Sequence, residues 1–372
     1  MSNNHQGHGW DDADIAGGWP PLDAGEVQAL LAGFPALPGP ARIVWRSARP
    51  FSAAARVATA AGEVFLKRHP LALRSPQALR EEHAFIAHLR ARGLPVPQVL
   101  AAAGGETAHV RGNWLYEVHA PAAGLDLYRD AVSWTPLTRL EHARSAGRML
   151  ARLHIAAAGF ALPARSAQML VARDELLRAP DLIAAIAAQC AQRPLLAAYL
   201  AERNWRDELV PLLARHRQLQ PQLAALPRLW THGDWHASNL FWSDAGDAAE
   251  VACVLDFGLC APTFALYDLA LAIERNAIGW LQDQAGHPQI ACALTEGYAE
   301  LLPLSSQDRQ LLADLLPLVH LDFAVSEIDY ACTLLASPKA ADHAWQGYLL
   351  GHAAWFATPR AAPLLAAIGG DA

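Results

Sequence analysis

Residues Trp230–Gly258 read W-T-H-G-D-W-H-A-S-N-L-F-W-S-D-A-G-D-A-A-E-V-A-C-V-L-D-F-G. Two pieces of this stretch carry chemistry. Asp234 and Asn239 stand five positions apart in H-G-D-x-x-x-x-N, and Asp256 closes an apolar run and opens D-F-G. Between them, L-F-W, a short polar turn and V-A-C-V-L give a β-hairpin pattern. A strand-turn-strand of this kind gathers a carboxylate, an amide oxygen and a second carboxylate, the set that magnesium-dependent phosphoryl transfer requires. In that reading Asp234 orients and deprotonates an acceptor hydroxyl, while Asn239 and Asp256 hold Mg2+ against the phosphates of a nucleotide. Mg2+ is hard and prefers oxygen, so His232 and His236 are not expected among its ligands. The plain alternative is that Asp234 and Asn239 cap a turn and Asp256 forms an Asx-turn at a strand end. The order of the pieces, with seventeen positions from Asn239 to Asp256, favours the chemical reading.

Working outward, the chain has 372 residues, enough for two lobes with a core each. Hydrophobic residues make up 53% and charged residues 17%, which describes a globular chain. A net charge of -7 argues against nucleic acid or an anionic membrane as the main partner. No charge-free apolar run reaches the roughly 18 residues of a membrane span. The first residues lack a basic region followed by an apolar one, so no signal peptide is expected. The five cysteines are scattered without a C-x-x-C, which fits buried free thiols and a cytoplasmic location.

Residues 1–24 are rich in Gly, His, Asp and Trp and are expected to form a poorly ordered tail, not a metal site of His5, His8, Asp11, Asp12 and Asp14. Glu26–Phe34 reads as a short amphipathic helix. R-I-V-W-R (42–46), A-A-R-V-A-T (54–59) and E-V-F-L-K-R (63–68) read as strands, with turns at Arg49–Ser52 and Ala60–Gly62. Lys67 ends the third strand in an apolar context. A helix over Ser75–Arg92 follows, with Pro76 in its first turn, Gly93 as its stop and Glu82 near its apolar face. A strand Lys followed by a helix Glu is the pair that grips a nucleotide's α- and β-phosphates; the alternative is an ordinary surface Lys and helix Glu. Trp114–Val118 is a further strand and Ala120–Gly124 a hinge-like connector, so backbone groups at Glu117 and His119 are placed to meet an adenine edge. Helices are expected over Pro136–Ala157, several times between 165 and 225, over Leu266–Trp280, and over 290–302, 307–336 and 338–356. The organisation is α+β: an N-lobe (25–118) of a small antiparallel sheet with one helix, then a larger, mostly helical C-lobe (119–365).

These blocks resemble the aminoglycoside phosphotransferase/choline kinase group, the protein-kinase-like small-molecule kinases. The resemblance covers roughly residues 41–335. It rests on F-L-K with Lys67, R-E-E-H-A-F-I-A-H-L-R-A-R-G-L-P-V-P with Glu82, L-A-R-L-H, H-G-D-W-H-A-S-N, V-L-D-F-G and Y-D-L-A. It implies a two-lobed protein-kinase-like fold. It further implies ATP as co-substrate, Mg2+, and a small polar metabolite (amino alcohol, sugar or aminoglycoside-like) whose hydroxyl accepts the γ-phosphate. Residue by residue, it implies that Lys67 holds the phosphates, Glu82 orients Lys67, Asp234 is the base, and Asn239 and Asp256 bind the metal. His232 and Asp268 then support the catalytic loop, and the nucleotide hinge falls near Glu117 and His119. Where the family covers the phosphates, this chain reads R-P-F-S-A-A-A-R, which assigns that role to Ser52 and the amides of Ala53 and Ala54. Protein kinases usually read H-R-D where this chain reads H-G-D.

Candidates for the acceptor cleft are Trp235, His236, Glu274, Arg275, Asp322, Glu327 and Asp329, whose acids favour a cationic or amino-bearing alcohol. Two other readings stay open. H-G-D-x-H-x-x-N is similar to the bacterial stress-response Ser/Thr kinases of the same fold, which implies a protein substrate. A non-catalytic nucleotide-binding module is the third, against which the intact set Lys67, Glu82, Asp234, Asn239 and Asp256 speaks.

Overall fold

The computed structural model describes residues 20–47, 53–129, 131, 134–162, 164–167, 169–281 and 283–369. Of the expected tail, residues 1–19 lie outside this range. The rest runs straight into helix α1 (Ala24–Leu31), which Asp23 and Glu26 close with a reciprocal capping box. Leu22, expected within the tail, is buried.

Among the described residues, five strands form an antiparallel sheet in the order β1-β2-β3-β5-β4: β1 (Arg42–Arg46), β2 (Ala53–Thr59), β3 (Gly62–Pro70), β4 (His109–Arg111) and β5 (Trp114–His119). The two-residue period of a strand divides its side chains between two faces. One face presents Ala55, Val57, Val64, Leu66, Tyr116 and Val118, which pack against Leu22, Val27, Leu30, Leu31 and Phe34 of the α1 region. The opposite face carries Lys67, His69, Glu117 and His119, with Lys67 directly across from Glu117. Helix α2 (Pro76–Ala91) brings His83 to this face. Ser75 caps its N-terminus by accepting from Ala78 N at 3.1 Å, and Pro76 takes the first turn, as its fixed φ favours.

The remainder is mainly helical. Helix α3 (Leu140–Ala157) runs through the centre, followed by α4 (Glu175–Arg178), α5 (Leu182–Cys190), α6 (Pro194–Ala201), α7 (Trp205–Glu208) and α8 (Val210–Ala225). Two short antiparallel pairs come next: β6 (Leu229–Thr231) with β9 (Ala261–Thr263), and β7 (Leu240–Trp242) with β8 (Val251–Val254). Then follow α9 (Ala265–Ala277), α10 (Pro288–Ala299), α11 (Ser306–Leu315), α12 (Leu321–Tyr330), α13 (Pro338–Asp342), α14 (His352–Phe356) and α15 (Ala362–Gly369). Stretches of π-helix, Ala331–Leu335 and His343–Gly351, interrupt the last group. Helices α3 and α10 cross at backbone contact. A Cβ on Gly147 would stand 1.9 Å from Leu294 O, and one on Gly297 2.0 Å from Arg144 O. The apolar face of α2, with Phe85, Ile86 and Leu89, joins the large core of these helices. The cysteines are all unpaired; Cys253 and Cys260 are buried, while Cys190, Cys292 and Cys332 are partly exposed. No helix among the described residues is long and apolar enough to cross a membrane.

Candidate active site

The β7–β8 hairpin sets the spacing of the motif residues. Leu240 pairs with Val254, and Leu255 N donates to Asn239 O at 2.9 Å, so Asp256 emerges beside Asn239. Asn239 in turn donates its side-chain amide to Asp234 O at 2.9 Å and to Asp234 Oδ2 at 3.1 Å. Asp234, Asn239 and Asp256 are thus drawn together by a few local bonds.

The loop before them is held from α9. Asp268, in the first turn of that helix, accepts from His232 N and Gly233 N, each at 2.8 Å, while His154 Nε2 approaches at 3.1 Å. His232 Nε2 lies 2.8 Å from Leu255 O, tying the loop to the strand that delivers Asp256. Gly233 has φ +76°, and a Cβ there would come within 2.7 Å of Ala172 Cβ and 2.8 Å of Leu259 O. This chain therefore reads H-G-D and leaves no room for a side chain between His and Asp. Asp256 itself adopts a left-handed conformation, φ 57° and ψ 73°, unusual for a residue other than glycine.

Charge is concentrated on these groups. Arg275, buried in α9, donates through Nη1 to Asp234 Oδ1 and to Gly233 O at 3.1 Å. Its guanidinium lies 5.5 Å from the Trp134 ring. Burial pushes the Asp234 carboxyl up, but Arg275, with His236 and His232 behind it, holds it well below the usual carboxylate range. Lys67 Nζ donates to Asp256 Oδ1 at 2.8 Å. Burial draws this ammonium down, yet Asp256, Glu117 and Glu82 together keep it above its ordinary value.

Three expectations need restating. Glu82 was expected to orient Lys67; instead its carboxylate faces the buried Arg165, whose Nη2 stands 3.5 Å away, and the carboxylate bonded to Lys67 is that of Asp256. Arg165 lies in the irregular stretch before α4, bonded to Cys260 O at 2.6 Å and Ala78 O at 3.2 Å, and it supplies the counter-charge that Glu82 needs. Glu82 still acts on Lys67 through the field alone. Glu117 and His119 were expected to offer backbone groups to adenine. Their backbones pair within the sheet, with Lys67 and Phe65, and the outer edge of the strand is engaged where Leu100 N donates to Val118 O and Ala120 N to Gln98 O. It is their side chains that converge: His69 and His83 each stand 2.9 Å, and His119 2.6 Å, from the buried Glu117 carboxylate. Burial pushes that carboxyl up, and the three imidazoles, His119 first, pull it well below its ordinary value. Ser52 lies outside the described residues, with the first half of the segment expected to cover phosphates; of its described half, Ala53 pairs with Arg68 and Ala54 with Lys67.

Asn239 and Asp256 fit a hard divalent cation. Their donors are an amide oxygen and a carboxylate. Asn239's amide nitrogen is committed to Asp234, which turns its oxygen away from that carboxylate, and the Asp256 side chain keeps 32% of its surface exposed. His232 and His236 are engaged elsewhere, His236 Nδ1 with Ser238 Oγ at 2.8 Å.

Of the acceptor candidates, two prove structural. Asp322 accepts from Leu176 N (2.9 Å) and Leu177 N (3.2 Å) in α4, and Asp329 faces Arg193 at 3.6 Å. Arg275 stays with Asp234, while Glu274 turns away from it toward His320 and His352. Glu327 is buried near Arg275; burial pushes its carboxyl up to about 7, against the pull of that arginine. Sequence reasoning missed His320 and His352, which close on Glu274 at 3.2 and 3.3 Å. They sit in helical sequence whose periodicity signals only packing.

The antiparallel sheet, the helical body and the placing of Lys67, Asp234, Asn239 and Asp256 between them define a two-lobed protein-kinase-like α+β fold. The chain belongs to the phosphotransferase enzyme family (APH), whose family model matches residues 49–304. It is similar to the homoserine kinase of Afipia carboxidovorans, 28% identical over 229 residues, or 61% of this chain and 60% of that protein. Its identity to the homoserine kinase of Xanthobacter autotrophicus is 28% over 233 residues, 60% and 61% of the two chains. The chain thus spans about 60% of the length of these curated relatives. Among solved structures it is similar to amicoumacin kinase hAmiN in complex with AMP-PNP, Ca2+ and Ami, with TM-score 0.60 and 16% identity over 91% of this chain and 95% of that one. A microcompartment-associated aminopropanol kinase gives TM-score 0.56 and 17% identity over 92% and 99%. At these identities the likeness speaks to the fold.

Proposed function

We propose that this protein transfers the γ-phosphoryl group of ATP to the hydroxyl of a small amino-bearing alcohol, with Mg2+ as its divalent cation. The observation that carries the reading is the convergence of Lys67, Asp256, Asn239 and Asp234 through the bonds just described. The relatives' names, homoserine kinase and aminopropanol kinase, support a small amino-bearing acceptor. The complex of hAmiN with AMP-PNP and Ca2+ supports an adenine nucleotide with a divalent metal.

In this mechanism the acceptor oxygen attacks the γ-phosphorus as the bond to the bridging β–γ oxygen breaks, and ADP leaves. Asp234 accepts a hydrogen bond from the acceptor hydroxyl, fixes its direction and finally takes its proton. Because Arg275 keeps Asp234 ionised, that carboxylate is a weak base, so aim matters more than proton abstraction. Lys67 offers its ammonium to the α- and β-phosphates. Asn239 and Asp256 would hold the cation, which when bound neutralises charge on the phosphates.

The test is ADP release by the purified protein across a panel of amino alcohols, sugars and aminoglycosides. Turnover with a small amino alcohol is expected, with kcat falling at least ~10²-fold in Asp234→Asn while Mg·ATP still raises the melting temperature. Turnover near wild type in that variant, or phosphate appearing on protein instead of on any small alcohol, overturns the reading.

A further inference from the structure

Glu274, His320 and His352 come from three separate parts of the helical body: the last turns of α9, the residue before α12 and the first residue of α14. Glu274 is 0% and His320 3% exposed. His320 Nε2 stands 3.2 Å and His352 Nδ1 3.3 Å from the same oxygen, Glu274 Oε1. Neither contact has the alignment of a hydrogen bond. Both carboxylate oxygens, both nitrogens of His320 and Nδ1 of His352 are without a hydrogen-bond partner among the described residues. A buried carboxylate with no aligned donor, facing two imidazoles with unused lone pairs, is costly unless a further group satisfies all three.

The spacing says which group. Tetrahedral Zn2+ binds imidazole nitrogen and carboxylate oxygen at about 2.0–2.1 Å, which puts neighbouring ligand atoms about 3.3 Å apart. The two contacts to Glu274 Oε1 have that length, and the three ligand atoms all lie within 4.8 Å of one another. Two nitrogens and one carboxylate favour a borderline transition metal over Mg2+. Charge permits it, since the nearby Arg275, with Nε 3.9 Å from Glu274 Oε2, is already neutralised by Asp234. The rings are also fixed: Trp280 stacks on His352 at 3.7 Å, and Tyr348 lies 4.1 Å from His320.

We propose that Glu274, His320 and His352 form a site for a zinc-class divalent cation, separate from the oxygen-donor site at Asn239 and Asp256. It clamps α9, α12 and α14 together and thereby steadies Arg275, the neighbour of Glu274 that grips Asp234. The cluster His69, His83, His119 and Glu117 differs in kind, because its rings are already hydrogen-bonded to the carboxylate.

The full-length protein is to be treated with a chelator, loaded with ZnCl2, passed through a desalting column and measured for metal by mass spectrometry. One equivalent of zinc retained per chain is expected in the wild type and in Asp256→Asn, with retention falling to background in His352→Ala and Glu274→Gln. CoCl2 in place of zinc is to give the visible absorption of tetrahedral Co2+ in the wild type and not in His352→Ala. Zinc is also to raise the melting temperature of the wild type more than that of His352→Ala. No retention by the wild type, or retention unchanged in both ligand variants, overturns the site. Retention lost in Asp256→Asn but kept in His352→Ala assigns the zinc to the phosphate groove and overturns it equally. Should Glu274→Gln fail to fold, the Co2+ spectrum of His352→Ala, which removes a partly exposed ring, decides alone.

Discussion

Arg275 sets the charge on Asp234, and its removal has a defined sign. With the guanidinium gone, the first of the groups opposing burial is lost and the Asp234 pKa rises from its depressed position, with His236 and His232 still drawing it down. Arg275→Met is therefore expected to move the acid limb of the kcat/KM profile to higher pH, with kcat depressed even on the plateau because the carboxylate is no longer held in place. The buried partner left behind also costs stability, about 3–5 kcal/mol, readable as a lower urea midpoint. An unmoved acid limb would separate Arg275 from Asp234. Asp322 titrates in the opposite sense. Burial pushes its carboxyl from 3.8 to about 8, although Leu176 and Leu177 donate to it. A folded pKa above the unfolded one adds stability that is complete below about pH 4 and is lost as the pH rises toward 8. Asn does not titrate, so wild-type stability measured against Asp322→Asn is expected to fall across that window and level off above it. A flat difference in urea midpoints would refute the assignment.

The crossing of α3 and α10 is set by two glycines. The missing side chains at Gly147 and Gly297 let α3 and α10 meet backbone to backbone. Gly147→Ala is expected to destabilise by at least about 1–3 kcal/mol in urea unfolding, because the atom that must give way is a carbonyl, not a flexible side-chain end. Gly297→Ala acts on the same crossing, so the pair is expected to be non-additive. β1, β3, α2 and α3 were legible because strand and helix periods are local signals, and Ser75-Pro76 and Gly93 marked the ends of α2. The grouping of Asp234, Asn239 and Asp256 was legible because one hairpin carries all three. The partner of Glu82 was not, since Arg165 sits in a segment without period. Glu117 was read for its backbone, because no local pattern announces that His69, His83 and His119, from two strands and a helix, meet at its carboxylate. The Gly-, His-, Asp- and Trp-rich composition drew the expected tail through residue 24, whereas Asp23 already caps α1 together with Glu26.

Across the whole molecule, the sheet and the helical body touch at many points. Lys67 meets Asp256, Arg74 Nη2 donates to Gly258 O at 2.6 Å and Leu170 O at 2.9 Å, and Val254 N donates to Pro95 O at 2.9 Å. Phe85 packs against Trp230 and Phe257. Among the described residues, the polypeptide itself crosses once from β5 to the body. It is pinned on one side by Gln98 and Leu100 and on the other by Leu125, which exchanges two backbone bonds with Trp242 at 2.7 and 2.9 Å. Between those pins lie Pro121–Gly124, of which Pro121, Ala123 and Gly124 are exposed. A protease site inserted there and cleaved is expected to yield two fragments that elute together on gel filtration and part only in denaturant; separate peaks in native buffer would contradict this. Covalent continuity at that crossing is then dispensable for assembly, and the two fragments, expressed apart, should reconstitute the phosphate groove by finding each other in solution.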